Sequence, residues 1–303
     1  MTHIFHIADW QVRLCFAHED EQVGMHMLAS FEPFRVEGST LDVLFSMTVD
    51  QALEPVMSAE CVSLRECDTN NGDVVVESFA DGRYQFRFKD LSGEVCALML
   101  GNADFSVCRC RVYGSKVQRR FGLNNALMLT GALAGARHQT LMVHASVVRH
   151  DGKGYAFVAP SGTGKSTQTQ NWLRMIPGCD LMNDDNPVVR VIDGQAWIYG
   201  SPWSGKTPCY RQVKAPLAAV AKIARNADNY VEPLAPLAGF SHLLSSCSVM
   251  RWDRETFLGV CDTVSAVCSA VGNYTLHCTA EPQSAVVCYK GITGFNPSIC
   301  ART

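Results

Sequence analysis

A stretch rich in glycine and hydroxyl side chains interrupts an apolar run in the chain and has the sequence FVAPSGTGKSTQ over residues 157–168. Its glycines let consecutive backbone N–H groups converge on phosphate oxygens, and a helix beginning at the lysine would add its own unpaired N–H groups and its dipole. Lys165 can reach the outer phosphates of a nucleotide, and the Ser166 hydroxyl can bind Mg²⁺. The stretch therefore predicts a phosphate-binding loop, or P-loop, made of Ser161, Gly162, Thr163, Gly164, Lys165, Ser166 and Thr167.

One position departs from the usual P-loop pattern, which is Gly, four residues and then Gly-Lys-Ser/Thr. Ala159 stands where that pattern has its first glycine. An extended backbone accepts alanine there at little cost, whereas a positive φ would strain it. The alternative interpretation, a chance Gly/Ser/Thr turn, is disfavoured because a strand pattern precedes the loop and a helical pattern follows it.

A pair of carboxylates supplies the second element that a nucleotide site needs. In LMNDDNPVV, apolar residues lead into Asp184 and Asp185, and further apolar residues follow. Two adjacent carboxylates at a strand end repel each other unless a cation lies between or beside them. One of them can bind Mg²⁺ while the other accepts the proton of a substrate hydroxyl. The alternative is a solvated Asp-Asp-Asn-Pro turn.

Two further segments contain side chains that could act on phosphate. In VHASVV, His144 lies on an apolar strand, a position where a histidine is more often a core residue than a functional one. In GSPWSGK, residues 200–206, a rigid Pro-Trp turn is followed by flexible backbone and the cation Lys206. This segment predicts a second phosphate clamp, and its alternative is a packed tryptophan turn with a solvated lysine.

The surrounding periodicity predicts the elements that position these residues. Residues 1–118 are expected to be β-rich, with strands at FRVEG, LDVLFSMTV, YQFRFKD and VCALML and a hairpin turn at Asp81-Gly82. The apolar spacing then changes and predicts a helix over 119–137. In the remainder we expect strands at TLMVHASVVRH, GYAFVA, CDLMNDDNPVVRVIDG, AWIYGSPW and YTLHCT and helices over 165–175, 253–271 and 282–289. The predicted fold class is α/β (α+β), with a β-rich region 1–118 and a P-loop domain 119–303.

The composition excludes several classes of protein. The chain has 303 residues, is 47% hydrophobic and carries a net charge of −3, which does not fit a nucleic-acid-binding protein. Its 14 cysteines include no Cys-x-x-Cys pair, which favours free thiols in a reducing compartment. The N-terminus lacks a signal-peptide pattern, and no apolar run is long enough for a bilayer. We therefore expect a cytoplasmic protein with neither a nucleic-acid partner nor a membrane partner.

The segments VHASVV, GKGYAFVAPSGTGKST, LMNDDNPVV and YGSPWSGK together resemble the HPr kinase/phosphorylase-like family, which has a phosphoenolpyruvate-carboxykinase-type P-loop. The resemblance covers about residues 119–290. It implies that His144 and Lys206 lie near the transferred phosphate. It also implies that Asp184 is the catalytic base and that Asp185 binds the metal together with Ser166.

The resemblance does not extend to the full activity of either HPr kinases or phosphoenolpyruvate carboxykinases. We find no glycine-rich signature of the kind that supplies a metal-binding glutamate in HPr kinases, so neither HPr as a substrate nor the reverse phosphorylase reaction is implied. The chain is also too short for a complete phosphoenolpyruvate carboxykinase, so decarboxylation is not implied. HPr kinases are oligomeric, and the resemblance extends the expectation of a homo-oligomer to this chain.

The expected function is that of an ATP- and Mg²⁺-dependent kinase that transfers a phosphoryl group to a hydroxyl. The acceptor is expected to be a serine of a peptide or small protein, because related proteins in peptide-modification clusters phosphorylate precursor peptides. Two alternatives stay open. One is a small-molecule kinase, which should have a closed pocket where a peptide kinase has an open groove. The other is a nucleotide-binding regulatory subunit without turnover.

Overall fold

The computed structural model describes residues 1–57, 61–68, 72–205 and 207–293. Contacts between residues divide the chain into two compact units, Met1–Ala134 and Gly135–Thr303. Both units combine strands with helices, so the structure is mixed α/β, in agreement with the predicted class. No helix within these described ranges is long and apolar enough to span a membrane.

The first unit is built on a nine-stranded sheet, counted over its described residues. The strands are β1 (Thr2–Ile7), β2 (Trp10–Phe16), β3 (Arg35–Val36), β4 (Val43–Val49), β5 (Cys61–Asp68), β6 (Asp73–Phe79), β7 (Tyr84–Lys89), β8 (Val95–Gly101) and β9 (Val107–Val112). Their order in the sheet is β3-β1-β2-β4-β9-β8-β7-β6-β5. Among these described strands the pairs β2–β4 and β4–β9 are parallel, and the other neighbouring pairs are antiparallel. The four strands predicted for this region are β3, β4, β7 and β8, so its β-rich character is confirmed.

Helix α1 (Lys116–Ala136) follows this sheet and packs closely against it. A Cβ added at Gly122 would lie 2.5 Å from the carbonyl oxygen of Cys96, so only glycine permits this approach. Further along the helix, the buried Thr130 hydroxyl donates to the sulfur of Met99 over 3.1 Å. These contacts place most of α1 in the first unit. The division between the units lies after Ala134, near the end of the helix, whereas the sequence analysis placed the domain boundary at residue 118, in the first turn of the helix.

The second unit contains the second sheet and the remaining helices. Its strands are β10 (Thr140–Met142), β11 (Ala145–His150), β12 (Lys153–Val158), β13 (Asp180–Asp185), β14 (Val188–Ile192), β15 (Gln195–Tyr199), β16 (Lys214–Arg225), β17 (Tyr230–Pro233) and β18 (Gly272–Cys278). Its helices are α2 (Lys165–Met175), α3 (Pro236–Leu244), α4 (Arg254–Ala270) and α5 (Gln283–Thr293). The strand order is β10-β14-β15-β16-β12-β11-β13, with β18 beside β16 and β17 beside β18.

Helices cover both faces of this sheet and create two cores. On one face, Trp172 of α2 and Tyr289 of α5 pack with Phe157 of β12. On the other face, Val264 of α4 packs in a core that includes Val158 of β12. Successive side chains of β12 therefore enter opposite cores, as the period of a strand requires. Strands β12, β16 and β18 run parallel, so their carboxyl ends lie at the same edge of the sheet.

Most of the predicted elements of this unit are present. Helix 165–175 has the predicted bounds, and α4 is capped by Asp253, whose carboxylate accepts from the Thr256 N–H over 2.8 Å. The hairpin between β11 and β12 has positive φ at both Asp151 (48°) and Gly152 (71°). In contrast, the Asp81-Gly82 turn joins β6 and β7 through four residues, 80–83, and only its glycine has a positive φ.

Two differences from the sequence prediction affect the site. TLMVHASVVRH forms two strands, not one, because the chain leaves β10 at Val143 and His144 to pair with a neighbouring segment. There Val143 forms a bridge with Cys247, and the His144 N–H donates to the Ser246 carbonyl over 2.7 Å. Strand β16 and helix α3 were not predicted, because their Pro- and Ala-rich sequences match neither period clearly.

Candidate functional site

The predicted P-loop connects β12 to α2 at the carboxyl edge of the sheet. Gly162 (φ 75°) and Gly164 (φ 125°) both have positive φ, which explains why glycines occupy these positions. Ala159 is not among the residues with positive φ, so alanine is unstrained where the usual pattern has glycine. The loop therefore has glycine at the two positions with positive φ, and Ala159 causes no backbone strain where the usual pattern has a glycine.

Helix α2 begins directly after this loop and has a free N-terminus. Gly164 is its N-cap, and no side chain caps it. The first hydrogen bond of the helix runs from the Gln168 N–H to the Gly164 carbonyl over 2.9 Å. The N–H groups of Lys165, Ser166 and Thr167 thus have no acceptor among the described residues, and together with the helix dipole they attract an anion.

Lys165 is held beneath the loop. Its side chain is buried, and its Nζ donates to the Ala159 carbonyl over 3.0 Å. Burial lowers the pKa of Lys165 from its ordinary value, while the carboxylates of Asp185 and Asp184 act in the opposite direction. The result is a preplaced cation with few hydrogen bonds of its own, which suits contact with phosphate oxygens.

Asp184 contacts the P-loop helix through Ser166. The Ser166 hydroxyl donates to Oδ1 of Asp184 over 2.8 Å. The other oxygen, Oδ2, is buried and has no hydrogen-bond partner among the described residues. An unpaired buried carboxylate oxygen is unfavourable unless a cation compensates it. No group of three or more His, Cys, Asp or Glu side chains in the described ranges forms a metal site, but Mg²⁺ beside phosphates needs only one or two carboxylates.

Asp185 lies beside His144. The two residues meet because β11 pairs with β13, which aligns Ala145 with Asp185. His144 Nε2 is 3.3 Å from Asp185 Oδ1, and both side chains are more than one-third exposed. Oδ2 of Asp185 accepts from the Asn186 amide over 2.7 Å. The structure therefore brings together three predicted residues, His144 and the two aspartates, and gives the aspartates different surroundings.

The GSPWSGK segment is attached to the same carboxylates. The Gly205 N–H donates to the Asp184 carbonyl over 2.5 Å, and Ser204 forms a bridge with Asp185. The buried Asn183 amide donates to the Ser201 hydroxyl and to the Trp203 carbonyl over 3.1 and 3.0 Å. Trp203 itself is buried, as the packed-turn interpretation expects. The predicted cation of this segment, Lys206, lies outside the described residues.

The two basic residues that follow this segment are engaged elsewhere. Arg211 lies 2.8 Å from Asp180, which also receives two hydrogen bonds from the Arg149 guanidinium. Burial opposes ionisation of Asp180, but the two guanidinium groups hold its pKa below its ordinary value. Lys214 lies over the ring of Trp197.

Arg225 and a cavity beside the P-loop were missed by sequence reasoning. The Arg225 Nε donates to the Thr163 carbonyl over 3.1 Å, and its Nη2 donates to the Gly162 carbonyl. A cavity of about 360 Å³ adjoins this contact. It is lined by the loop and by Ile223, Asn226, Cys278 and Thr279, among others. No local sequence pattern marks these residues, because more than fifty positions separate them from the loop. The parallel pairing of β12, β16 and β18 brings them next to the loop in the folded chain.

Comparison with known proteins adds no family assignment. No protein-family model matches the chain, and a search of curated proteins finds no match.

Proposed function

We propose that this protein is an ATP- and Mg²⁺-dependent phosphotransferase that acts on a hydroxyl group. The observation that carries the proposal is the contact between Ser166 and Asp184. It joins the end of a P-loop to a buried carboxylate that has one unpaired oxygen. A hydroxyl and a carboxylate in this relationship are hard oxygen ligands suited to Mg²⁺.

The residues around the loop fit the parts of ATP. The free N–H groups at the start of α2 and the Lys165 ammonium would hold the phosphates. The cavity has the size of a small-molecule pocket, for which about 300 Å³ is the usual lower limit, and would hold the nucleoside. Ile223 and Cys278 give it an apolar wall, while Asn226 and Thr279 supply polar groups. When bound, Mg²⁺·ATP would supply the phosphoryl group that is transferred.

The contacts favour different roles for the two aspartates. Asp184 is buried and contacts Ser166, which supports a role as metal ligand. Asp185 is more exposed, so it can meet an acceptor hydroxyl and take its proton. His144 would position the Asp185 carboxylate from 3.3 Å away. This assignment is the reverse of the one that the family resemblance implies.

The resemblance to HPr-kinase-related proteins is part of this proposal and suggests a peptide or protein serine as the acceptor. The accessible Asp185–His144 pair is compatible with such an acceptor and equally with a small molecule. We expect the protein to act in the cytoplasm.

Titration calorimetry tests the nucleotide site. Wild-type protein should bind ATP more tightly with Mg²⁺ than without it, and Lys165→Ala should lose most of this affinity. A matched control is Lys153→Ala, because Lys153 is an exposed lysine at the other end of β12. Equal ATP affinity in Lys165→Ala and wild-type protein would contradict the proposed site.

A further inference from the structure

Arg225 makes an unusual pair of contacts with the P-loop. It is the last residue of β16 and is exposed, and its guanidinium donates to two consecutive loop carbonyls, those of Gly162 and Thr163. A guanidinium group can donate hydrogen bonds to two acceptors at once, because its N–H groups have a fixed, planar, fork-like arrangement. No carboxylate contacts Arg225 among the described residues, so these carbonyls are its observed partners.

The loop has few other restraints. A Cβ at Gly162 or Gly164 would meet no atom within 4 Å, so packing does not fix either glycine. Before the start of α2, the loop has two other hydrogen bonds among the described residues: a 3.3 Å bond from the Thr163 N–H to the Pro160 carbonyl and the bond from Lys165 to the Ala159 carbonyl. At its end, the Gly164 carbonyl accepts the first bond of α2, and the Ser166 hydroxyl contacts Asp184. Glycine has more backbone freedom to lose than any other residue. A side chain that fixes the carbonyls therefore decides much of the loop conformation.

The direction of these carbonyls sets the direction of the amide groups. All described peptide bonds are trans, and in a trans peptide the C=O and the following N–H point in opposite directions. Holding the Thr163 carbonyl toward Arg225 turns the Gly164 N–H away from it, and this N–H has no acceptor among the described residues. A flipped peptide would instead present a carbonyl oxygen to an incoming phosphate and repel it.

We infer that Arg225 is a positioning residue that keeps the P-loop peptides oriented for phosphate. It does so through the two carbonyls and without touching the phosphates itself. This inference rests on the proposed nucleotide site. It differs from a role in holding the nucleoside, although Arg225 also lines the cavity.

The test compares two probes, Mg²⁺·ATP and inorganic triphosphate, which has the phosphates and lacks the nucleoside. Arg225→Ala should bind both probes about tenfold or more weakly, which is the scale of one lost hydrogen bond from a charged group. Added methylguanidinium should restore part of this affinity, and Arg225→Lys should be intermediate because an ammonium cannot reproduce the fork. The thermal unfolding midpoint should change little, since Arg225 is exposed. Arg174→Ala, at an exposed arginine of α2, should behave as wild type.

Each contrary result has a defined meaning. If Arg225→Ala weakens ATP alone and binds triphosphate normally, Arg225 holds the nucleoside and the positioning role is wrong. Wild-type affinity of Arg225→Ala for both probes would also overturn the inference and leave the nucleotide site intact. If the wild-type protein binds neither probe, the proposed function fails first, and the inference fails with it.

Discussion

The Ser166 hydroxyl donates to Asp184 Oδ1 over 2.8 Å, and this bond connects the first turn of α2 to the carboxyl end of β13. It joins residues from two separate sequence motifs. It also leaves Oδ2 of Asp184 buried and unpaired within the described structure. This relationship is the observation from which we propose a cation site beside the P-loop.

The first prediction concerns the metal. Asp184→Asn keeps a hydrogen-bond acceptor for Ser166 but removes the negative charge that binds a cation. The ratio of ATP affinities with and without Mg²⁺ should fall by at least about tenfold, or about 1.4 kcal/mol. Ser166→Ala should also reduce the ratio. Ser161→Ala is the control, because Ser161 is an exposed loop serine whose role is expected to come from its backbone. An unchanged ratio in Asp184→Asn would remove Asp184 from the metal site.

The second prediction concerns pH. Burial lowers the pKa of Lys165, and phosphate binding needs its ammonium form. The affinity for Mg²⁺-free triphosphate should therefore have its full value at a pH below this pKa and should fall as the pH rises through it. Asp185→Asn removes the first of the two carboxylates that oppose the shift, so the midpoint of the fall should move to lower pH. Binding titrations from neutral pH into the alkaline range follow the midpoint. A midpoint that stays or rises in Asp185→Asn would contradict the account.

The third prediction concerns the contact of Gly205 with the aspartates. A Cβ added there would lie 2.9 Å from the Asp184 carbonyl oxygen and 3.2 Å from the Asp185 Cβ. Gly205→Ala should therefore displace the aspartates and weaken Mg²⁺-dependent ATP binding. Gly38→Ala is the control, because its added methyl group meets no atom within 4 Å. Normal binding by Gly205→Ala would show that this segment does not hold the carboxylates in place.

The local parts of the site could be predicted from the sequence. Gly164-Lys165-Ser166 identifies the loop because a phosphate cradle needs particular residue types at consecutive positions. Asp184 and Asp185 were predicted to lie at a strand end, and they do. Their different surroundings could not be predicted, because burial depends on which face of β13 each side chain occupies. This face is fixed by pairing with β11, about forty residues earlier in the chain.

The non-local parts could not be predicted. Arg225 reaches the loop only because β16 runs parallel to β12, and the Ala-rich sequence of β16 gives little indication of a strand. The boundary between the units was predicted at residue 118 because the hydrophobic period changes there. The close approach of Gly122 to Cys96 assigns most of helix α1 to the first unit. The hydrophobic period of a helix shows which of its faces is buried, but it does not show which element packs against that face.

The fourth prediction concerns stability. The Asp253 carboxylate caps α4 by accepting from the Thr256 N–H over 2.8 Å. Asp253→Ala should lower the free energy of unfolding by about 1 kcal/mol, the usual cost of a lost N-cap. Asp262→Ala, at an exposed position on the same helix, should change it much less. Urea denaturation measures both values, and equal stability of the two variants would show that the cap contributes little.

The most direct test of the phosphotransferase proposal is the rate of ATP turnover by Asp185→Asn, measured beside its Mg²⁺·ATP affinity. Phosphate released to water serves as the readout, and transfer to the acceptor replaces it once the acceptor is identified. Asn keeps the size and polarity of the side chain but cannot accept the hydroxyl proton. The account predicts near-normal Mg²⁺·ATP binding with turnover reduced roughly 100-fold or more, the scale of a general base. Wild-type turnover in Asp185→Asn would contradict the proposed mechanism.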